Sequence, residues 1–130
     1  MRILVVDDHA GFRRALVTTL GLVSGLEVVG EAGDGEAGYS RALDVEPDVV
    51  LMDLSMPGMS GVDAMRMIHR RKPETPVVIL TAHADPALEA DARSAGASGF
   101  IAKGGGLQEL VDRLMEVCEG LEGEQVVNGS

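Results

Sequence analysis

Five side chains able to do chemistry stand where short aliphatic runs stop. Asp7 and Asp8 follow Ile3-Leu4-Val5-Val6, Asp53 follows Leu51-Met52, Thr81 follows Ile79-Leu80, and Lys103 follows Phe100-Ile101-Ala102. Singly, each has an ordinary structural explanation, because acidic residues cap helices, Thr suits a strand and a terminal Lys is usually solvated. Together they put three carboxylates, a hydroxyl and an ammonium around one crevice, where like charges repel unless something positive sits among them. A hard divalent cation answers that need. Magnesium takes oxygen ligands, commonly one or two carboxylates plus phosphate oxygens, and no Cys or His cluster suggests zinc instead. A carboxylate beside such an ion can attack phosphorus to give an aspartyl phosphate. Thr81 could then donate a hydroxyl and Lys103 a point charge to the phosphoryl oxygens.

For these ends to meet, the chain must be wound into a sheet with all strands pointing one way. Arg2 to Val6, Asp48 to Met52 and Pro76 to Leu80 are nearly continuous aliphatic runs, the pattern of parallel strands covered on both faces. Glu27 to Glu31 and Gly99 to Ala102 read as two weaker strands. Between them lie helical spacings such as Phe12, Leu16, Thr19, Leu20 and Val23, or Leu107, Leu110, Val111, Leu114 and Val117. Asp34 suits the cap of the second helix, Asp85-Pro86 the start of the fourth and Gly96 its end, with Pro47 and Pro73 just beyond the second and third. Five alternations of strand and helix imply an open parallel sheet with right-handed crossovers, and ligands in that architecture sit beyond the carboxyl ends of the strands.

Composition agrees and excludes other classes. The chain's 130 residues suit one domain, and its 45% apolar content is almost wholly aliphatic. A net charge of -10, from 11 basic and 21 acidic residues, argues against a grip on nucleic acid by this segment alone. The lone Cys118 cannot form an internal disulfide and reads as a small buried hydrophobe. Without a signal-like opening or an apolar run of spanning length, the expected location is cytoplasmic, with no membrane contact. From Glu119 onward the pattern loosens, so residues 1–119 are expected to form the domain and 120–130 a tail or the start of an interdomain linker.

The ordered segments Ile3-Leu4-Val5-Val6-Asp7-Asp8-His9, Leu51-Met52-Asp53-Leu54-Ser55-Met56-Pro57-Gly58-Met59-Ser60-Gly61, Ile79-Leu80-Thr81-Ala82 and Gly99-Phe100-Ile101-Ala102-Lys103 resemble the signatures of response-regulator receiver domains of two-component systems. The resemblance covers residues 2 to about 119 and implies a flavodoxin-like α/β fold, a five-stranded parallel sheet of order 2-1-3-4-5 flanked by five helices. It also implies that Asp53 is the phosphoacceptor and that Asp8 and Asp53 ligate Mg2+ directly. Asp7 would act through a bound water, and Ser55 through its backbone carbonyl. Thr81 and Lys103 would contact the phosphoryl group, and Phe100 matches an aromatic switch position. The implied donor is a sensor histidine kinase, and the domain would be no enzyme beyond its own phosphorylation and dephosphorylation. His9 and Val28-Val29-Gly30-Glu31-Ala32 are similar to receivers of the NarL/FixJ-like group, which carry helix-turn-helix outputs. Control of transcription through a DNA-binding output domain follows as an expectation. A stand-alone relay role and a receiver homodimer stay open beside it. Many receivers have Lys-Pro where this chain has Lys103-Gly104-Gly105-Gly106, which leaves the conformation of that loop open and mobility plausible.

Other candidates have plainer readings. His69, Arg70, Arg71 and Lys72 fall in the last turn of the third helix, where cations complement the dipole. The methionines fill core and loop. His83, two residues past Thr81, occupies a position where the family places residues that influence water access, and a surface histidine is an equal alternative. A haloacid-dehalogenase-like phosphohydrolase would want its nucleophile on the first strand with a second Asp two residues later, where Ser55 follows Asp53 here. A nucleotide switch would need a G-x-x-x-x-G-K-[ST] loop, which is missing. A receiver-like module that is never phosphorylated would usually lack an acidic residue or the lysine, and all are present.

Overall fold

The computed structural model describes the backbone of residues 1–129 and the side chains of residues 1–121. Strands β1 (Arg2–Val6), β2 (Glu27–Ala32), β3 (Val49–Asp53), β4 (Val77–Thr81) and β5 (Gly99–Ala102) alternate with helices α1 (Ala10–Gly21), α2 (Gly35–Val45), α3 (Gly61–Arg71), α4 (Pro86–Ser94) and α5 (Gly106–Gly129). All four strand pairings are parallel, in the order β2-β1-β3-β4-β5. The expected flavodoxin-like topology is therefore the observed one.

The sheet divides the core. Because successive strand residues point to opposite faces, Ile3 and Val5, Val49 and Leu51, Val78 and Leu80, and Ile101 pack on one side with α1 and α5 residues such as Leu16, Leu20, Leu110 and Leu114. Leu4 and Val6, Val50 and Met52, and Val77 and Ile79 pack on the other with Ala42, Ala64, Met65, Ile68 and Ala92 of α2, α3 and α4. The central strands β3 and β4 are buried along their whole length, which explains their unbroken apolar sequences.

Local signals set the helix ends. Asp34 accepts a hydrogen bond from the Ala37 amide at 2.8 Å, and Ser60 caps α3 by accepting from the Asp63 amide. Asp85 caps α4, with Pro86 in its first turn. The basic run ends α3 as its charges suggest, with His69 Nε2 bonded to the Thr75 carbonyl at 2.8 Å and Lys72 paired with Glu46 at 2.8 Å. Two strand boundaries lie one residue later than the sequence suggests. Asp48 closes the turn before β3, its carboxylate accepting from the Arg2 amide at 2.7 Å, and Pro76 contributes only its carbonyl, to Val50. Cys118 is buried in the α1/α5 face of the core. Helix α5 runs on through Glu119, since the Leu, Glu, Gln and Val residues that follow are helix-compatible and each Gly costs only about 1 kcal/mol. The linker-like side chains of Gly123 to Val127 lie outside the described residues.

Candidate functional site

The sheet's carboxyl edge gathers the residues singled out from the sequence. Register places Met52 opposite Val6 and Leu80 opposite Asp53, so Asp7 and Asp53 emerge side by side from the adjacent strands β1 and β3. Their positions in the strand alternation send both toward α1 and α5. Asp7 is fully buried and Asp53 only 3% exposed. Lys103, in the short 3-10 turn Lys103–Gly105 after β5, reaches back between them: Nζ stands 2.6 Å from Asp7 Oδ2 and 3.1 Å from Asp53 Oδ1. The Phe12 ring, on the first turn of α1, lies under the same ammonium with its centroid 4.6 Å away, a cation–π contact. Lysine is thus fixed from three sides although glycines follow it.

One positive charge does not neutralise three carboxylates. Burial, then the neighbouring Asp7, then Asp8, push the Asp53 carboxyl up to about 6 from an ordinary 3.8, against the pull of Lys103. Asp8 Oδ1 and Asp53 Oδ2 are both buried and have no hydrogen-bond partner among the described residues. Unpaired carboxylate oxygens out of reach of solvent are costly, and they are what a bound cation would satisfy. Ligand atoms of Asp7, Asp8, His9 and Asp53 lie within 4.8 Å of one another. The acidic cluster can therefore hold a metal ion, and its all-oxygen carboxylate set fits Mg2+.

Thr81 ends β4 beside Asp53 and is buried, yet its hydroxyl turns into its own loop, donating to the His83 carbonyl at 3.1 Å. Alternation sends Thr81 toward the α3/α4 face rather than the α1/α5 face. Phe100 sits on that face too, half-buried against the second core cluster and lining a small cleft with Ala84, Glu89 and Arg113. Ser55 is exposed and shares a cleft of about 620 Å³ with Asp8, Met56, Pro57 and Leu88.

Several residues that matter here were not legible as site residues. Arg13 donates to the Asp7 carbonyl at 2.6 Å and to Glu31 at 3.2 Å, tying the end of β1 to β2. A bulge in β2, where Leu4 pairs with Gly30 after Ile3 pairs with Val28, turns Glu31 to the face where Arg13 lies. Gly61 starts α3 directly under Asp53: its amide donates to Leu54 at 2.8 Å, and a Cβ there would overlap the Asp53 carbonyl oxygen. Gly61 gives no local hint, because its constraint is a contact across eight residues.

The response regulator receiver domain profile matches residues 3–115. This chain belongs to that family. Over 120 residues the domain is 39% identical to the response regulator GacA of Pseudomonas aeruginosa, a match covering 92% of this chain and 56% of GacA. It is 42% identical over 130 residues to protein-glutamate methylesterase/protein-glutamine glutaminase 6 of Anaeromyxobacter dehalogenans, covering 98% of this chain and 37% of that protein. The chain thus spans about half or less of these curated relatives. Among solved structures, the signal receiver domain of the response regulator NarL from Mycobacterium tuberculosis superposes with a TM-score of 0.83 at 36% identity, covering 92% of this chain and 96% of that one. The receiver domain is accordingly a component of two-component signalling, and DNA recognition by such regulators requires an output domain. Among the described residues no helix is long and apolar enough to cross a membrane.

Proposed function

We propose that Asp53 is the phosphoacceptor of this receiver domain and that phosphorylation there switches the face built by α4, β5 and α5. The observation that carries the reading is the pair of buried, unpartnered oxygens on Asp8 and Asp53 next to the Lys103 ammonium. A carboxylate oxygen of Asp53 would attack the phosphorus of a phosphohistidine on a sensor histidine kinase, the other oxygen staying available to the ion. The new O–P bond forms as the P–N bond breaks, and the imidazole nitrogen leaves with the bonding pair and takes up a proton. Asp8 and Asp53 would hold Mg2+ directly, Asp7 through water and Ser55 through its carbonyl. An ion held there would supply charge neutralisation for the phosphoryl oxygens. Lys103 slides from the carboxylate pair to a phosphoryl oxygen as a point charge. Thr81 exchanges the His83 carbonyl for another phosphoryl oxygen, and the space it leaves admits the Phe100 ring.

The relatives carry different outputs on similar receivers, one a response regulator and one a methylesterase. Control of transcription through a DNA-binding output domain is the reading we favour, because the likeness to GacA and to the NarL receiver joins the Asp7-Asp8-His9 run that follows β1. A stand-alone relay role and a receiver homodimer remain the alternatives. Incubation with Mg2+ and a small phosphodonor, followed by intact-mass measurement, tests the central step. One acid-labile phosphoryl group is expected, absent from Asp53→Ala and retained in Cys118→Ala. Labelling of Asp53→Ala would sink the assignment.

A further inference from the structure

His9 adds a nitrogen donor to a site otherwise made of oxygen. It occupies the N-cap position of α1 but its side chain makes no capping hydrogen bond. Its backbone amide is instead tied to Asp7 Oδ1 at 2.9 Å, which fixes where the imidazole starts. Nδ1 lies 3.4 Å from Asp7 Oδ1 and 3.3 Å from Asp8 Oδ1. Ligand atoms sharing one ion through bonds of about 2.1 Å stand roughly 3.0–3.4 Å apart, depending on coordination geometry. The His9 nitrogen therefore already stands at the spacing of a neighbouring ligand from each of the two carboxylate oxygens.

The rest of the cradle is arranged to complement this. Lys103 holds Asp7 Oδ2 and Asp53 Oδ1; of the remaining oxygens, Asp7 Oδ1 accepts from the His9 amide and Asp53 Oδ2 is left for a second positive partner. Asp53 Oδ2, on a residue 3% exposed, and Asp8 Oδ1 have no hydrogen-bond partner among the described residues. Asp8 and Asp53 belong to the same group of residues as His9, each offering a ligand atom within 4.8 Å of the others.

We propose that the cradle is a mixed nitrogen–oxygen metal site, with His9 Nδ1 as a ligand that favours a borderline first-row cation of the Co2+, Ni2+ or Zn2+ class. The inference rests on the metal-site reading of the same carboxylates and deepens it. Magnesium gains little from an imidazole, since it is a hard ion that keeps its waters. Borderline cations gain an inner-sphere nitrogen that an all-carboxylate site lacks. His9 is then a selectivity element, exposed for 70% of its side chain and able to turn onto the ion or away from it.

The test uses the whole 130-residue chain, stripped of metal, at neutral pH. Co2+ is titrated by its visible absorption and by the melting midpoint, and Mg2+ by the midpoint alone, in wild type, His9→Phe and His83→Phe. Wild type should bind Co2+ at least about tenfold more tightly than His9→Phe does, while Mg2+ affinity differs by less than about twofold between them. His83→Phe should match wild type for both ions. Equal Co2+ affinity in wild type and His9→Phe overturns the proposal, as does a matching loss of Mg2+ affinity, which would make His9 a general support of the cradle. Loss of Co2+ binding in His83→Phe alone would assign the nitrogen elsewhere. If the underlying metal-site reading fails, wild type binds neither cation and Asp53→Asn changes neither titration, a pattern distinct from selective loss at His9.

Discussion

Asp53 is pulled two ways, by burial and carboxylate neighbours that favour its neutral form and by a lysine that favours its charge. Its folded-state value, about 6, lies above the 3.8 of an exposed carboxyl, so between those values the folded chain binds more protons than the unfolded one. Stability from this group is complete below about pH 4 and is lost as pH rises through about 6, a swing of up to roughly 3 kcal/mol. Metal-free protein should therefore melt higher at pH 5 than at pH 7. Asp53→Asn should flatten that dependence and raise the metal-free midpoint at pH 7, and Asp8→Asn should raise it too. Saturating Mg2+ should raise the wild-type midpoint at pH 7. An unchanged midpoint with Mg2+ would argue against the site. Phe12 invites a separate measurement. Phe12→Leu keeps apolar bulk but removes the ring face under Lys103, and should slow labelling by a small phosphodonor about 3- to 10-fold, equivalent to roughly 0.6–1.4 kcal/mol. Phe12→Tyr should keep the wild-type rate; a Leu variant as fast as wild type would show that the ring does not hold the lysine.

At the scale of elements, the strand ends do the positioning and single helices tune it. Gly61→Ala would drive a methyl into the Asp53 carbonyl, displacing α3 or the end of β3. A loss of about 2–4 kcal/mol in urea unfolding is expected, with weaker Mg2+ binding. A variant as stable as wild type would mean that α3 can shift freely. Thr81→Ala probes the connection between β4 and β5. It should leave phosphorylation measurable but blunt the change in amide-exchange protection over residues 85–117 on adding a phosphoryl mimic. A wild-type response in Thr81→Ala would remove these residues from the relay. What could be read in advance follows the same division. Alternation and run length located Asp7, Asp8, Asp53, Thr81 and Lys103 at strand ends, because strand and helix boundaries are encoded locally in apolar runs and caps, whereas the strand order came from the resemblance to receivers. Arg13, the β2 bulge, Phe12 under Lys103 and Gly61 under Asp53 were not legible as parts of the site, since each depends on the register between segments far apart in sequence. The inward turn of the Thr81 hydroxyl is likewise a property of the folded loop.

For the whole molecule, the sheet is a partition with one opening. Asp7, Asp53 and Lys103 belong to the α1/α5 side, together with Phe12 and Arg13, while Thr81 and Phe100 belong to the side of α3 and α4. On the proposed reading the carboxylates and lysine that receive the phosphoryl group stand mainly on the first side, while Thr81 and Phe100 would carry the response on the second. The two sides meet at the carboxyl edge and at α5, whose Arg113 lines a cleft with Phe100. A domain built this way can acquire a new upstream donor by altering the surface near α1 while keeping its downstream listener, or exchange the listener while keeping the donor. The different proteins in which similar receivers occur, a response regulator in one case and a methylesterase in another, are what such separable inheritance allows.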